Sequence, residues 1–335
     1  MNHKAVSILV MIFCLLSVCG CGDDSDAKSP GEASARPEIT VTRDVAADDA
    51  KPLNGSNAGN LRSDTKGDTE GDTKDEAEDK TNEPQTLVFR DVFGEEYETV
   101  IDPDVPPNVY KKDAFIHDGS RLIYDDKSYE YMLGTDVSHH QGDVDWEKIK
   151  SQGYDFTFLR IGYRGYGKEG SLNTDRMFET NYEKAKKAGI LVGVYFFAQA
   201  VNEEEAAEEA EYVLGILDGR SLDLPVVYDP ESILDDEART DDVSGEQFTK
   251  NTRVFCDAIK AAGYSPMIYS NMLWEAFEYD LSKLSDIPVW YADYEDVPQT
   301  PYDFEFWQYS NEGRIDGIST EADLNIWIRP ANGSE

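Results

Sequence analysis

From Leu133 onward, short continuous apolar runs alternate with segments whose apolar residues recur at helical spacing. The runs are LGTDVS, FTFLRIGY, LVGVYFFA, LPVVYDPE and PMIYSN. Between them lie DWEKIKSQG, TDRMFETNYEKAKKAG, NEEEAAEEAEYVLGIL and SGEQFTKNTRVFCDAIKAAG, which read as amphipathic helices. Asp145 stands where an N-cap is needed and Gly153 where the first helix must stop. Strands apolar throughout and separated by helices are what a parallel sheet covered on both faces requires. After Asn271 come PVWYADY, FEFWQYS and ADLNIWI, joined by segments without helical periodicity. The eight strands predict an α/β closed barrel whose last part is irregular. A doubly wound open sheet is the alternative.

The preceding chain has a different texture. TLVFRDVFGEEYETVID and AFIHDGSRLIYDD predict two small hairpins, the second turning at Asp118-Gly119. Such hairpins are not stable alone and are expected to pack onto the barrel that comes after them in the chain. Residues 22–86 contain no Phe, Trp or Tyr and include the repeat DTKGDTEGDTKDE, a composition that predicts a disordered acidic linker. The chain opens MNHKAVSILVMIFCLLSVCGCGDD, a basic start and an apolar stretch too short to span a membrane. Its end resembles the lipidation site of bacterial lipoproteins, with Cys21 after Gly20 as the lipidated residue and Cys19 as the alternative. The expected division is a lipoprotein signal at 1–21, linker at 22–86, hairpin extension at 87–132 and barrel at 133–330. The expected location is the outer face of the bacterial cytoplasmic membrane, held by the lipid anchor alone.

Charge and cysteine content remove several classes. Acidic residues outnumber basic ones 68 to 31, a net charge of −37, which disfavours a nucleic-acid partner. Beyond the signal only Cys256 remains, so neither a disulfide framework nor a cysteine zinc site is expected. Cys256 lies on the apolar side of a helix and reads as a buried, inert thiol. His139 and His140 have no accompanying metal-ligand spacing and read as loop residues; no metal or cofactor is expected. The glycines of IGYRGYGKEG lack the dinucleotide pattern and read as a flexible loop.

The candidate chemistry is carboxylate chemistry. The spacing D-x-E occurs at Asp68/Glu70, Asp145/Glu147, Asp229/Glu231, Asp235/Glu237, Asp293/Glu295 and Asp303/Glu305, so spacing alone selects nothing. Reactive groups of barrels sit at the C-terminal ends of strands. Only Asp229/Glu231 and Asp293/Glu295 meet that condition. Strand residues two apart share a face, so Asp229 and Glu231 point into one mouth while Tyr228 and Pro230 point away. Asp136 also ends a strand, and Asp323 lies in the last strand, which closure brings beside the first. Four converging acids repel, so some are expected to stay protonated, as cleavage of a glycosidic bond requires. Tyr195, Phe197, Tyr269, Trp290, Tyr291, Trp307 and Tyr309 cluster at strand ends, where rings suit the apolar faces of sugars; core packing is the other reading for each. Asp293 and Gln308 join the first six of these rings as expected substrate contacts.

The ordered set LGTDVSHHQGDVDW, GVYFFA, LPVVYDPE, YSPMIYSN, PVWYADY, FWQYS and DGISTEADLNIW resembles glycoside hydrolase family 25 over roughly residues 133–328. The resemblance implies a TIM-like (β/α)5β3 barrel and a lysozyme-type N-acetylmuramidase. The bond cleaved would be the β-1,4 linkage between N-acetylmuramic acid and N-acetylglucosamine in peptidoglycan glycan strands. It implies Glu231 as proton donor, Asp229 as its partner, and Asp136 and Asp323 as the remaining pocket acids. Asp293 and Glu295 match no catalytic position of the family, and Pro230 departs from its pattern at a position expected to face away. A monomer is expected. Two other readings stand beside the enzyme: a non-catalytic wall-binding lipoprotein on the same barrel, and a solute-binding lipoprotein, which needs two lobes.

Overall fold

The computed structural model describes residues 84–233 and 237–331. The signal segment with Cys21, the linker up to residue 83 and Asp235 lie outside the described residues.

The extension contains two antiparallel hairpins, β1 (Thr86–Arg90) with β2 (Glu96–Val100), and β3 (Phe115–Asp118) with β4 (Arg121–Tyr124). The next elements in chain order are β5 (Tyr129–Val137), α1 (Trp146–Ser151), β6 (Tyr154–Arg164), β7 (Leu172–Thr174), α2 (Phe178–Lys187) and β8 (Leu191–Ala198). Then come α3 (Glu203–Leu217), β9 (Val226–Pro230), α4 (Gly245–Ala261), β10 (Pro266–Asn271), β11 (Val289–Ala292), β12 (Phe306–Gly313) and β13 (Ala322–Pro330). Polar side chains set the helix starts. Asp145 accepts from Lys148 N at 3.2 Å, Asn202 from Glu205 N at 3.0 Å and Ser244 from Gln247 N at 3.3 Å. Helix α2 starts later than the sequence pattern predicts. Asp175 is drawn into contacts with Arg160 and His139, and its other carboxylate oxygen holds Met177 N at 2.9 Å, so the chain turns there before coiling.

Eight strands close a ring. β5, β6, β8, β9, β10, β11 and β12 run parallel, and β13 is antiparallel to both its neighbours, β12 and β5. The sequence pattern predicts the barrel but not the short strand β7, which pairs with β6 outside the ring, because LNT has neither length nor apolar pattern. Phe156, Phe158, Val227, Met267, Trp290 and Phe306 fill the barrel interior. Two glycines make room for this filling. A Cβ on Gly134 would stand 2.5 Å from the Phe156 ring, and one on Gly193 would stand 2.5 Å from Phe158.

After β10 the chain makes only a π-turn, Trp274–Glu278, and a short 3-10 turn, and no helix follows β11 or β12. The outer face of the last strands therefore needs another cover, and the extension supplies it. Phe115 meets Trp307 edge-on at 5.2 Å, and Tyr110 packs on Phe304 at 4.8 Å while its hydroxyl donates to Phe304 O at 2.9 Å. Phe89 and Tyr97 close on Phe277 in the π-turn, at 6.2 and 6.0 Å. The hairpins thus bury their apolar faces on the barrel, as their small size demands.

Candidate active site

Strand alternation decides what enters the mouth. On β9, Val227 belongs to the inner core, and Val226 and Tyr228 belong to the outer core. Asp229 continues the inner set and Glu231 comes just past the strand, while Tyr228 packs outward on Phe255 at 4.6 Å. On β5 the same parity turns Asp136 inward. The β5–β13 register sets Asp323 directly opposite Asp136, and their carboxyl groups are hydrogen-bonded. Asp229 and Glu231 are hydrogen-bonded to each other in the same way. The four predicted acids therefore converge at the C-terminal end of the parallel strands, above the aromatic filling.

Their environments differ. Asp136 is buried, and its Oδ2 accepts from Asn325 Nδ2 at 2.8 Å and Gln308 Nε2 at 2.9 Å. Burial pushes its pKa up to about 6, and these donors keep it from rising further. Asp229 and Asp323 are held well above the usual carboxylate range, first by burial and then by neighbouring carboxylates. For Asp229 those neighbours are Glu231 and Asp136, with Arg160 pulling the other way. Asp229 Oδ1 is buried without a hydrogen-bond partner. Glu231 is half-buried, at the outer edge of the group.

A relay of neutral donors orients Asp136. Tyr269 and Tyr294 donate to Gln308 Oε1 at 2.9 and 2.8 Å, so the Gln308 amide must present its NH2 to Asp136. Trp290 Nε1 donates to Asn325 Oδ1 at 2.8 Å, which fixes the Asn325 amide in the same sense. Burial keeps the Tyr195, Tyr269 and Tyr294 hydroxyls far from ionising.

The expected substrate contacts divide. Tyr195, Phe197 and Tyr269 face the mouth side, with Phe197 paired beside Asp229 across β8 and β9. Trp290 faces inward but lies beneath the acids as part of the floor, stacked on Phe158 at 4.6 Å. Gln308 is a brace for Asp136. Tyr291 and Trp307 are corrections: both belong to the outer core, since neighbours of the inward residues Trp290, Phe306 and Gln308 must face out. Asp293 is a further correction. Its carboxylate accepts from Tyr291 OH at 2.8 Å, Gln299 N at 2.9 Å and Glu295 N at 3.1 Å, and so organises its own loop.

Three participants escape the sequence reading. Asn325 is two residues after Asp323 and shares its face. Tyr294 lies just past a strand end. Arg160 is a cation in the middle of an apolar strand, which is a usable signal. Its Nε donates to Asp175 Oδ2 at 2.9 Å, and its guanidinium contacts His139 Nδ1. His139 and His140 stack at 4.1 Å beside this pair, and burial lowers the pKa of His140 to about 4. Cys256 is buried, and burial pushes its thiol far above the ordinary range. Among the described residues no group of three or more His, Cys, Asp or Glu is arranged to hold a metal ion.

Comparison with known proteins gives the barrel its relatives. The family described as glycosyl hydrolases family 25 matches residues 135–318. The autolytic lysozyme of Clostridium acetobutylicum is 29% identical over 195 residues, covering 58% of this chain and 55% of that protein. Lysozyme M1 of Streptomyces globisporus is 30% identical over 212 residues, covering 58% of this chain and 67% of that protein. This chain therefore spans about half the length of the Clostridium relative. The spore cortex lytic enzyme SleM of Clostridium perfringens shares the fold, with a TM-score of 0.51 at 24% identity over 59% of this chain and 67% of that one. With the matched region covering more than half of its residues, this chain belongs to glycosyl hydrolase family 25.

Proposed function

We propose that the barrel is a peptidoglycan hydrolase that cleaves the β-1,4 bond between N-acetylmuramic acid and N-acetylglucosamine. The observation that carries this reading is the pair Asp229–Glu231. One partner is buried with a raised pKa, the other is half-exposed, and the two share a hydrogen bond beside Asp136 and Asp323. Such a pair titrates as a unit, and burial of Asp229 beside Glu231 favours a proton shared between them.

In the resting pair the proton belongs to Asp229, whose ionised form burial and its neighbours penalise most. Asp229 Oδ1 is buried and has no hydrogen-bond partner, so a sugar that displaced the side chains covering it would find an acceptor there. An N–H from the sugar's 2-acetamido group donated to that oxygen favours ionised Asp229 and moves the shared proton to Glu231. Glu231 then gives it to the leaving glycosidic oxygen as the C1–O bond breaks and the acetamido oxygen bonds to C1. Substrate assistance of this kind is a recognised departure from the two-carboxylate scheme. Water activated by Glu231 then reopens the ring at C1. Asp136 and Asp323 position the sugar, and Tyr195, Phe197 and Tyr269 offer it ring faces and hydroxyls. In this reading the helix-poor last part makes the fold a (β/α)5β3 barrel, and the chain acts as a monomer. Cys21 carries the lipid that holds it at the outer face of the membrane, which the composition of the first residues supports.

Digestion of purified peptidoglycan by the wild type and by Glu231→Gln tests the proposal, with mass spectrometry of the fragment ends. Muramic acid at new reducing ends, lost in the variant, is the expected result. Binding to the wall without release of reducing ends would leave the wall-binding reading in its place.

A further inference from the structure

Resting on the reading just given, we infer that Gln199 is a positioning residue for Glu231, replacing with its side chain the sheet hydrogen bond that Glu231 has lost. The β8–β9 ladder ends at the pair Ala198 and Pro230, and the β9–β10 ladder already ends at Tyr228. The acid therefore sits one residue beyond the last residue that the sheet holds. The next rung would pair Gln199 with Glu231, but the Gln199 backbone is engaged elsewhere. Its N–H donates to Glu209 Oε1 at 3.1 Å, and its carbonyl accepts from Arg239 Nη1 at 3.0 Å. The side chain fills the gap. Gln199 Nε2 donates to the Glu231 carbonyl at 2.6 Å, while Gln199 Oε1 accepts from Thr240 Oγ1 at 3.0 Å. A carbonyl oxygen only accepts, so the amide orientation is fixed at both ends.

The hub itself is rigid. Gln199 is 1% exposed, with both backbone groups and both side-chain groups bonded. Glu209, wholly buried in α3, is tied to Arg164 Nε at 2.8 Å. Arg164 also donates to the carbonyls of Gly170 at 2.9 Å and Glu205 at 3.0 Å. Arg239 grips Glu205 with two bonds of 2.8 and 2.6 Å. One buried and one partly buried ion pair thus anchor one glutamine, and that glutamine anchors the backbone of the proton donor. A catalytic acid must be held close to its productive position, because a misplacement of about 1 Å costs about 100-fold in rate.

Two substitutions separate positioning from simple stability, both assayed on a soluble muropeptide-free glycan oligomer beside the wild type and Glu231→Gln. Gln199→Met keeps the volume and removes both side-chain bonds. We expect kcat to fall about 10- to 100-fold with KM within about twofold. Gln199→Glu places a carboxylate oxygen against the Glu231 carbonyl at neutral pH. On protonation the new carboxyl becomes a donor to that carbonyl, so its activity relative to wild type should recover as pH falls. A buried carboxylate also destabilises the fold until it is protonated, so Tm is followed over the same pH range and kcat is compared only where the variant is fully folded; recovery of kcat there reports positioning. The inference is overturned if Gln199→Met retains wild-type kcat, or if Gln199→Glu keeps a constant fraction of wild-type activity at every pH. Should Gln199→Met fail to fold, the pH dependence of kcat for Gln199→Glu, measured at temperatures where its Tm shows it fully folded, decides instead. An inactive wild type would instead sink the hydrolase reading, and this inference with it.

Discussion

Asn325→Leu is the sharpest test of how the acid cluster is assembled. Asn325 is fully buried between Trp290 Nε1 and Asp136 Oδ2, each at 2.8 Å. Leucine keeps the shape and removes both bonds. The indole N–H is then a buried unpaired donor, costing about 1–3 kcal/mol, and Asp136 loses a bond to a charged acceptor worth about 1.5–3 kcal/mol. The combined loss of roughly 2.5–6 kcal/mol predicts a Tm lower by roughly 5–24 °C at neutral pH for a domain of this size. Asp136, already at about 6, should move further up, because the largest of the hydrogen bonds that restrain it is gone. The acid limb of the kcat/KM profile should therefore shift to higher pH. Thermal unfolding followed by circular dichroism and a pH–rate series measure both effects. A variant that melts within about 2 °C of wild type with a superimposable pH profile would refute the claim that this relay holds Asp136.

The same contacts predict three further outcomes. Glu231→Gln should lower kcat by about 10²–10⁴-fold with little loss of stability, since it removes a carboxylate from a crowded group; a drop in Tm comparable to that of Asn325→Leu would show that Glu231 is structural instead. Phe115→Ala should cost about 3–5 kcal/mol by uncovering Trp307, while KM of the folded fraction stays unchanged; a stability change under about 1 kcal/mol would mean the extension is not part of the barrel's cover. Stability should also fall as pH rises through the window from about 4 to about 8. Asp136 and Glu275 are raised to about 6 and 8, so their contributions are complete below their unfolded values and disappear as pH climbs through the folded ones. A Tm that rises steadily from pH 5 to pH 8 would contradict this.

Much of the site was legible because its logic is local. The period of two along LPVVYDPE is enough to put Asp229 and Glu231 on one face, and the apolar runs are enough to predict strands around a closed core. Closure then implies that Asp136 and Asp323 are neighbours, which the β5–β13 register realises as a direct pair. The aromatic residues were harder. Trp290 and Tyr291 are adjacent in one strand and cannot both face the mouth, yet their composition is equally suited to sugar. Which of them points inward is set by the phase of the strand against its neighbours.

The sequence by itself determined the alternation of elements, the face shared by Asp229 and Glu231, and the acidic character of the mouth, because each depends on residues close in the chain. The tertiary structure decided the rest. It turned Trp307 outward under Phe115, made Gln308 a brace, folded Asp293 into its own loop and buried Asp229 more deeply than Glu231. It also gave the hairpins their purpose, covering strands that no helix covers. The brace and the cover depend on partners distant in the chain, Gln308 and Asp136 being 172 residues apart, whose approach only the closed barrel fixes.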